Sequence, residues 1–303
     1  MSTLSLDSRA DEDQWIWESF RYHSRTFSLA AYLLPRSVQM SVATLYLYCR
    51  RVDSIADQRV LEVGRERALE EVNAVRDRLD DTLAGHPPSN AVLWRRLAEV
   101  NEHASLPREP LYELIEGATW DLEERPITSE QDLIDYSNLV GGSVGAMMLP
   151  FLASSNRHET LEPAARRLGI AMQITNIVRD VGEDIDDLDR VYLPERWLDT
   201  HDVAEEALRD ARISNGYPKL LERAMETAEQ FYRKSFDGVS ALPFRSRHGI
   251  RAAARMYREI MNEVRANRYD NLSQRAYVPL RRKLSLLLYD GYDRRKRQLA
   301  ADA

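Results

Sequence analysis

Two short segments carry carboxylates at a spacing that could do chemistry. The first is Tyr46-Leu-Tyr-Cys-Arg-Arg-Val-Asp-Ser-Ile-Ala-Asp57. On a helix turning ~100° per residue, Tyr46, Arg50, Asp53 and Asp57 fall within about 60° of one another. A phenol, a guanidinium and two carboxylates one turn apart then share a face. The second is Gln173-Ile-Thr-Asn-Ile-Val-Arg-Asp-Val-Gly-Glu-Asp184. Here Gln173, Asn176, Asp180 and Asp184 form a stripe within about 80° by the same arithmetic. Each stripe runs along a helix whose other residues are largely apolar, such as Val52, Ile55 and Ala56, or Ile170, Ile174, Ile177 and Val181. A polar stripe in that setting is costly unless a partner satisfies it.

Hard cations supply such a partner. Mg²⁺ prefers oxygen ligands, keeps several waters and commonly binds through a few carboxylates plus substrate phosphates. Bound to a diphosphate, it acts as a Lewis acid and absorbs charge on a departing group. Two facing aspartate pairs would make a clamp for more than one ion. A single Asp-x-x-x-Asp is more often a solvated helix face. Two of them, each extended by further polar side chains on the same stripe, point towards ionisation of a prenyl diphosphate.

The elements that must position these stripes read as helices. Apolar residues recur at spacings of three and four, as in Leu69, Val72, Val75, Leu79, Leu83 and in Leu280, Leu284, Leu287, Leu288. No sustained strand-type alternation occurs. Breaks fall at Gly85-His86-Pro87-Pro88, from Leu106 to Pro110, at Arg125-Pro126, around Ser155-Asn156 and at Leu242-Pro243, which cut the chain into roughly ten helices. With 303 residues, 44% hydrophobic, and only 12 Gly and 12 Pro, the chain is expected to form one all-α domain over 1–303. A net charge of −7 argues against nucleic acid as a partner. The one cysteine, Cys49, excludes an intrachain disulfide framework and a cysteine-built metal site, and is expected to be a small buried hydrophobe.

The polar N-terminus, Met1 to Glu12, lacks a signal-peptide pattern, and no stretch approaches the ~20 apolar residues of a membrane span. A cytoplasmic protein is expected, in peripheral contact with membranes at most. The basic run Arg294-Arg295-Lys296-Arg297 suits either a helix C-terminus or anionic headgroups.

Several motifs resemble the squalene/phytoene synthase family. Asp180-Val-Gly-Glu-Asp184 followed by Arg190-Val-Tyr-Leu-Pro194 is similar to one family signature, and Tyr48-Cys-Arg-Arg-Val-Asp53 with Asp57 to the other. His23-Ser-Arg-Thr-Phe27, Gly141-Gly-Ser-Val-Gly145 and Arg275-Ala-Tyr-Val278 match in order and rough spacing. The resemblance runs from about residue 15 to 290, leaving a short polar N-terminal and a basic C-terminal extension. Val-Gly-Glu between the second aspartates resembles the carotenogenic branch. Two departures stand out: Ile185-Asp-Asp-Leu-Asp189 is acidic where a basic, Gly-containing stretch is usual, and Ser54 follows Asp53 where a second Asp is common.

The resemblance implies an isoprenoid-synthase-type helical bundle with a central cavity. It implies head-to-head condensation of two geranylgeranyl diphosphates, through a cyclopropylcarbinyl diphosphate (prephytoene diphosphate), to phytoene, ending in proton loss rather than hydride transfer. Two farnesyl diphosphates giving a thirty-carbon product are the alternative, and a silent homologue that serves assembly or lipid binding is a remoter one. The cofactor implied is Mg²⁺, with Mn²⁺ as an alternative and no NADPH.

Carried over by position, Asp53, Asp57, Asp180 and Asp184, with Asn176, would hold metal and diphosphate, and Gln173 would line the cavity beside them. Arg50, Arg275 and Lys283 would contact diphosphate oxygens, and His23 and Ser24 a phosphate near the mouth. Tyr46, Tyr136 and Tyr257 are candidates for steering a cation, or are core aromatics. Gly142, Val144 and Gly145, with Gly141, are read as room for a prenyl tail, beside Met147 and Met148 as adaptable lining. Helix packing is the other reading of the glycines. Oligomeric state and donor chain length stay open.

Overall fold

The computed structural model describes residues 8–286, without the side chains of Arg25 and Thr26. Residues 1–7, Leu287, Leu288 and the basic run Arg294–Arg297 lie outside the described residues. Among the described residues the secondary structure is helical throughout, with no strand.

The N-terminal half contains α1 (Arg9–His23), α2 (Arg25–Ala31), α3 (Arg36–Ser54), α4 (Val60–Val63), α5 (Arg65–Leu83), α6 (Val92–Ala104) and α7 (Arg108–Leu122). Ser24 ends α1 and caps α2, its hydroxyl accepting from the Phe27 N–H. The stripe expected from Leu69 to Leu83 is α5, which buries Val72, Val75 and Leu79. Then come α8 (Glu130–Ser137), α9 (Ser143–Met147), α10 (Leu149–Leu152), the 31-residue α11 (His158–Leu188), α12 (Glu195–Thr200), α13 (Glu205–Arg209), α14 (Tyr217–Ala241) and α15 (Phe244–Ala266). A reciprocal Ser129/Asp132 capping box starts α8. Each expected break interrupts a helix, although Arg108, Glu109 and Pro110 already belong to the first turn of α7.

Two π-helical turns interrupt the α-helical path, at Ile55–Arg59 after α3 and at Asn138–Gly142 after α8. The acidic segment 185–189 continues the second stripe's helix. Through Leu188 it is the last turn of α11, which ends at Asp189 in the left-handed conformation (φ 58°).

Helix α11 is the central element, packed on α14, α15, α9 and the second π turn. Small residues let it approach its neighbours closely. A Cβ on Gly141 would sit 2.5 Å from the Gly169 carbonyl oxygen, and one on Gly145 would collide with the Ala165 backbone. The buried residues form two large clusters, one on α1, α3 and α5–α7, the other on α11, α14 and α15. A cavity lies between them.

Candidate active site

The cavity has a volume of about 270 Å³. Its walls are apolar for most of their extent, from Leu34, Leu152, Leu161 and Leu242 through Val42, Leu45, Met148 and Leu168. Its polar lining is Asp53, Gln173 and Asn176, with the phenols of Tyr46 and Tyr257. Each stripe thus reaches the cavity at one end, through Tyr46 and Asp53 and through Gln173 and Asn176, whereas Arg50, Asp57, Asp180 and Asp184 are not in its lining.

The first stripe departs from the expected single helix. Asp53 is on α3, but Asp57 is on the π turn. The Ser54 hydroxyl donates to the Arg50 carbonyl oxygen at 2.7 Å and lies 3.3 Å from that of Arg51. Such back-bonding competes with the backbone ladder and marks where the helix widens. Asp57 is held between two arginines, with Arg190 Nη1 at 3.7 Å and Arg50 Nη1 at 4.0 Å.

The second stripe stays on α11. Arg179 grips Asp180 with both branches of its fork, Nε donating to Oδ1 at 2.7 Å. Arg275 adds a 3.0 Å ion pair to Asp180 and a 2.9 Å pair to Glu183. Among the described residues Asp184 has no ion pair.

Burial and mutual repulsion shape the charges here. Burial, with Asp57 adding repulsion, pushes the Asp53 carboxyl up to about 8. Burial, then Asp180 and Asp57, pushes Asp184 up to about 8. Asp57 is raised by burial against the pull of Arg190 and Arg50. The repulsion between Asp57 and Asp184 shows that the two stripes feel each other.

These residues fit a divalent cation bound together with phosphate. The donors are hard oxygens, Asp184 has no ion pair among the described residues, and the Asn176 Oδ1 is buried without a hydrogen-bond partner. Among the described residues no three His, Cys, Asp or Glu converge into a ready-made cage. That suits a cation completed by substrate oxygens and water.

A carboxyl whose folded pKa is raised stabilises the fold at low pH, and this contribution is lost as pH rises through the folded value. The metal-free melting temperature should therefore fall as pH rises from about 5 to 9. Mg²⁺ should flatten that slope, which thermal melts in EDTA and in MgCl₂ would compare. Equal slopes in the two would speak against these carboxylates as the cation site.

Other expected residues divide. Val144, Gly145, Gly141 and Met148 line the cavity; Gly142 and the fully buried Met147 do not. Backbone packing accounts for Gly141 and Gly145 even though both border the cavity. Cys49 is buried and lines it. Tyr46 and Tyr257 form an aromatic group with Phe27, at ring separations of 6.0 and 5.1 Å.

Tyr136 lies behind the carboxylates instead, donating to Asp121 at 3.0 Å and stacking on Tyr192 at 5.0 Å. His23 is exposed, edge-on to Tyr22, and outside the cavity lining, although Arg50 helps burial lower its pKa. The Ser24 hydroxyl is a helix cap, taken up by the Phe27 N–H. Lys283 is buried with its ammonium over the Tyr277 ring at 5.2 Å. Arg282 pairs with Glu259 at 2.6 Å.

The sequence reading missed a supporting group. Asp121 of α7 is buried and accepts from Tyr136 and, at 2.8 Å, from Tyr192. Arg190 lies 4.0 Å from Asp121 and donates to the Ala56 carbonyl oxygen at 3.1 Å. It thereby ties the segment after α11 to the π turn that carries Asp57. Burial, offset by Arg190, lifts Asp121 to about 6. The available signals were Asp121 set between Trp120 and Leu122 and a polar residue at each end of Arg190-Val-Tyr192.

An all-α bundle around an apolar cavity with two carboxylate stripes at its polar end is an isoprenoid-synthase-type enzyme. Residues 20–282 match the squalene/phytoene synthase family. The chain is 38% identical to the phytoene synthase of Rhodobacter capsulatus over 273 residues, 89% of this chain and 78% of that one. It is 36% identical to the phytoene synthase of Thermus thermophilus over 259 residues, 85% of each chain. Its fold superposes on a ligand-bound dehydrosqualene synthase with a TM-score of 0.83 at 29% identity, covering 94% of this chain and 97% of that one. The chain belongs to the squalene/phytoene synthase family and is, by class, a prenyltransferase.

Proposed function

We propose that this protein joins two geranylgeranyl diphosphates head to head to make phytoene. The observation that carries the reading is a cavity, apolar for most of its extent, whose polar end is lined by Asp53 from the first stripe and by Gln173 and Asn176 from the second. The similarity to phytoene synthases at 36–38% identity over most of the chain supports the twenty-carbon substrate.

Asp53, Asp57, Asp180, Asp184 and Asn176 would hold Mg²⁺, which when bound supplies Lewis-acid neutralisation of the departing diphosphate. Arg50, Arg275 and Lys283 bind diphosphate oxygens, with the planar forks of the arginines suited to paired contacts. The C–O bond of one substrate breaks, and the double bond of the second attacks the allylic cation. Phe20, Phe27, Tyr46 and Tyr257 border the cavity and turn aromatic groups towards that charge. The apolar walls exclude water that would quench the cation. The cyclopropylcarbinyl diphosphate ionises in its turn, rearranges and loses a proton, so no NADPH is needed.

Product analysis on purified protein with Mg²⁺ tests this, with geranylgeranyl and farnesyl diphosphate offered separately, with and without NADPH. Phytoene without NADPH is expected. A thirty-carbon product would select the dehydrosqualene-type reading. No turnover by folded protein would leave the silent homologue.

We place the protein in the cytoplasm with peripheral membrane contact for product release. Among the described residues no helix is long and apolar enough to span a bilayer. Tyr32, Leu33 and Phe244 are nevertheless exposed beside the apolar end of the cavity that Leu34 and Leu242 line. Replacing all three with Ser should weaken binding to anionic liposomes, read by flotation, by about a hundredfold, since each buried large side chain contributes on the order of 1 kcal/mol or more. Unchanged flotation of the triple variant would remove this face from the reading.

A further inference from the structure

Behind the first π turn lies a second, polar pocket, between α3, the turn, α5 and the segment leading into α6. Its lining shares no residue with the cavity. Arg51, Arg59, Arg67 and Arg78 border it, against Glu62, Glu70 and Glu71.

The glutamates are already engaged. Arg59 donates to Glu71 at 3.0 Å and to Glu62 at 2.5 Å, and Arg67 bonds Glu70. Arg51 and Arg78 are left over. Among the described residues neither guanidinium has a hydrogen bond or an ion pair. Arg51 is half-buried and Arg78 exposed; Glu71, already held by Arg59, is the strongest charged neighbour of Arg51, and Arg78 and Arg59 oppose it with positive potential. Gathering like charges around a half-buried, unpartnered guanidinium is unfavourable unless an anion joins them. Two free forks match an anion with several oxygens better than a single carboxylate.

We propose that this pocket is a second anion site, holding a free phosphate or diphosphate ion between Arg51 and Arg78. The proposal does not rest on the catalytic reading, because the pocket and the cavity share no residue.

Inorganic diphosphate titrated calorimetrically into the full chain in EDTA tests it. Chelation removes the cation that diphosphate binding at the aspartates requires. Binding is expected, weakened at least tenfold in the Arg51→Gln/Arg78→Gln double variant and kept in Arg275→Gln, which removes a cation of the catalytic site. Without the anion, the double variant should melt no lower than the unaltered protein, since it loses two like charges. Diphosphate should raise the melting temperature of the unaltered protein and leave that of the double variant unmoved. Absence of binding, equal binding by the double variant, loss in Arg275→Gln alone, or a lower anion-free melting temperature of the double variant would each overturn the proposal.

Discussion

Asp180→Ala and Asp184→Asn should both lose turnover by at least about 10³-fold, roughly 4 kcal/mol on the barrier, yet move metal-free stability in opposite directions. Asp180 is the counter-ion of Arg179, a side chain only 16% exposed, and it also pairs with Arg275. Removing it leaves a largely buried guanidinium uncompensated, a defect of about 3 kcal/mol. Asp184 has the reverse problem. Burial and its acidic neighbours lift its carboxyl to about 8, so at pH 9 it is a charge the fold resists. An amide there keeps the shape and removes the charge, and the metal-free variant should melt at or above the unaltered protein at pH 9. In both variants the thermal shift from Mg²⁺ should shrink. Thermal melts at pH 9 in EDTA, with steady-state turnover, separate the cases. Near-normal turnover in either variant would remove that aspartate from the machinery.

The sequence made the stripes legible because their period is local. Asp180, Asn176 and Gln173 needed only the helical repeat to be placed together. Asp57 shows where that reasoning stops. Over one turn, a residue pattern does not distinguish an α-helix from a π turn, and the Ser54 hydroxyl that accompanies the change reads as an ordinary substitution. Long-range pairs were harder. Nothing in the run around Asp121 names Arg190 or Tyr192 as partners about 70 positions on, because burial created that pairing. Leu280 and Leu284 carry a core-like spacing but are 60% and 45% exposed. Their periodicity identified a helical face and left its covering undetermined. Gly141 and Gly145 accommodate both readings of the glycines, bordering the cavity while packing against Gly169 and Ala165 of α11.

That packing sets the second large effect: Gly169→Ala should destabilise the protein by about 3 kcal/mol, lowering its melting temperature by roughly 6 °C. A Cβ at 169 would fall well inside van der Waals contact with the carbonyl oxygen of Gly141, and 2.9 Å from the Gly142 Cα. Backbone on both sides leaves no flexible side chain to give way. Alanine's higher helix propensity, worth about 1 kcal/mol, offsets only part of this. The two segments must separate, and both border the cavity through Gly141, Gly145 and Gly169. The variant should therefore also bind substrate less tightly, with KM rising more than kcat falls, because the tail's walls move while the aspartates stay on the following turns of α11. Ser143→Ala is the contrast. Its hydroxyl bonds the Leu139 carbonyl within the same turn, so losing it should cost about 1 kcal/mol and leave KM unchanged. Thermal melts and steady-state kinetics on the two variants check the difference. A Gly169→Ala protein as stable as the parent would mean that α11 and the second π turn do not depend on this close approach.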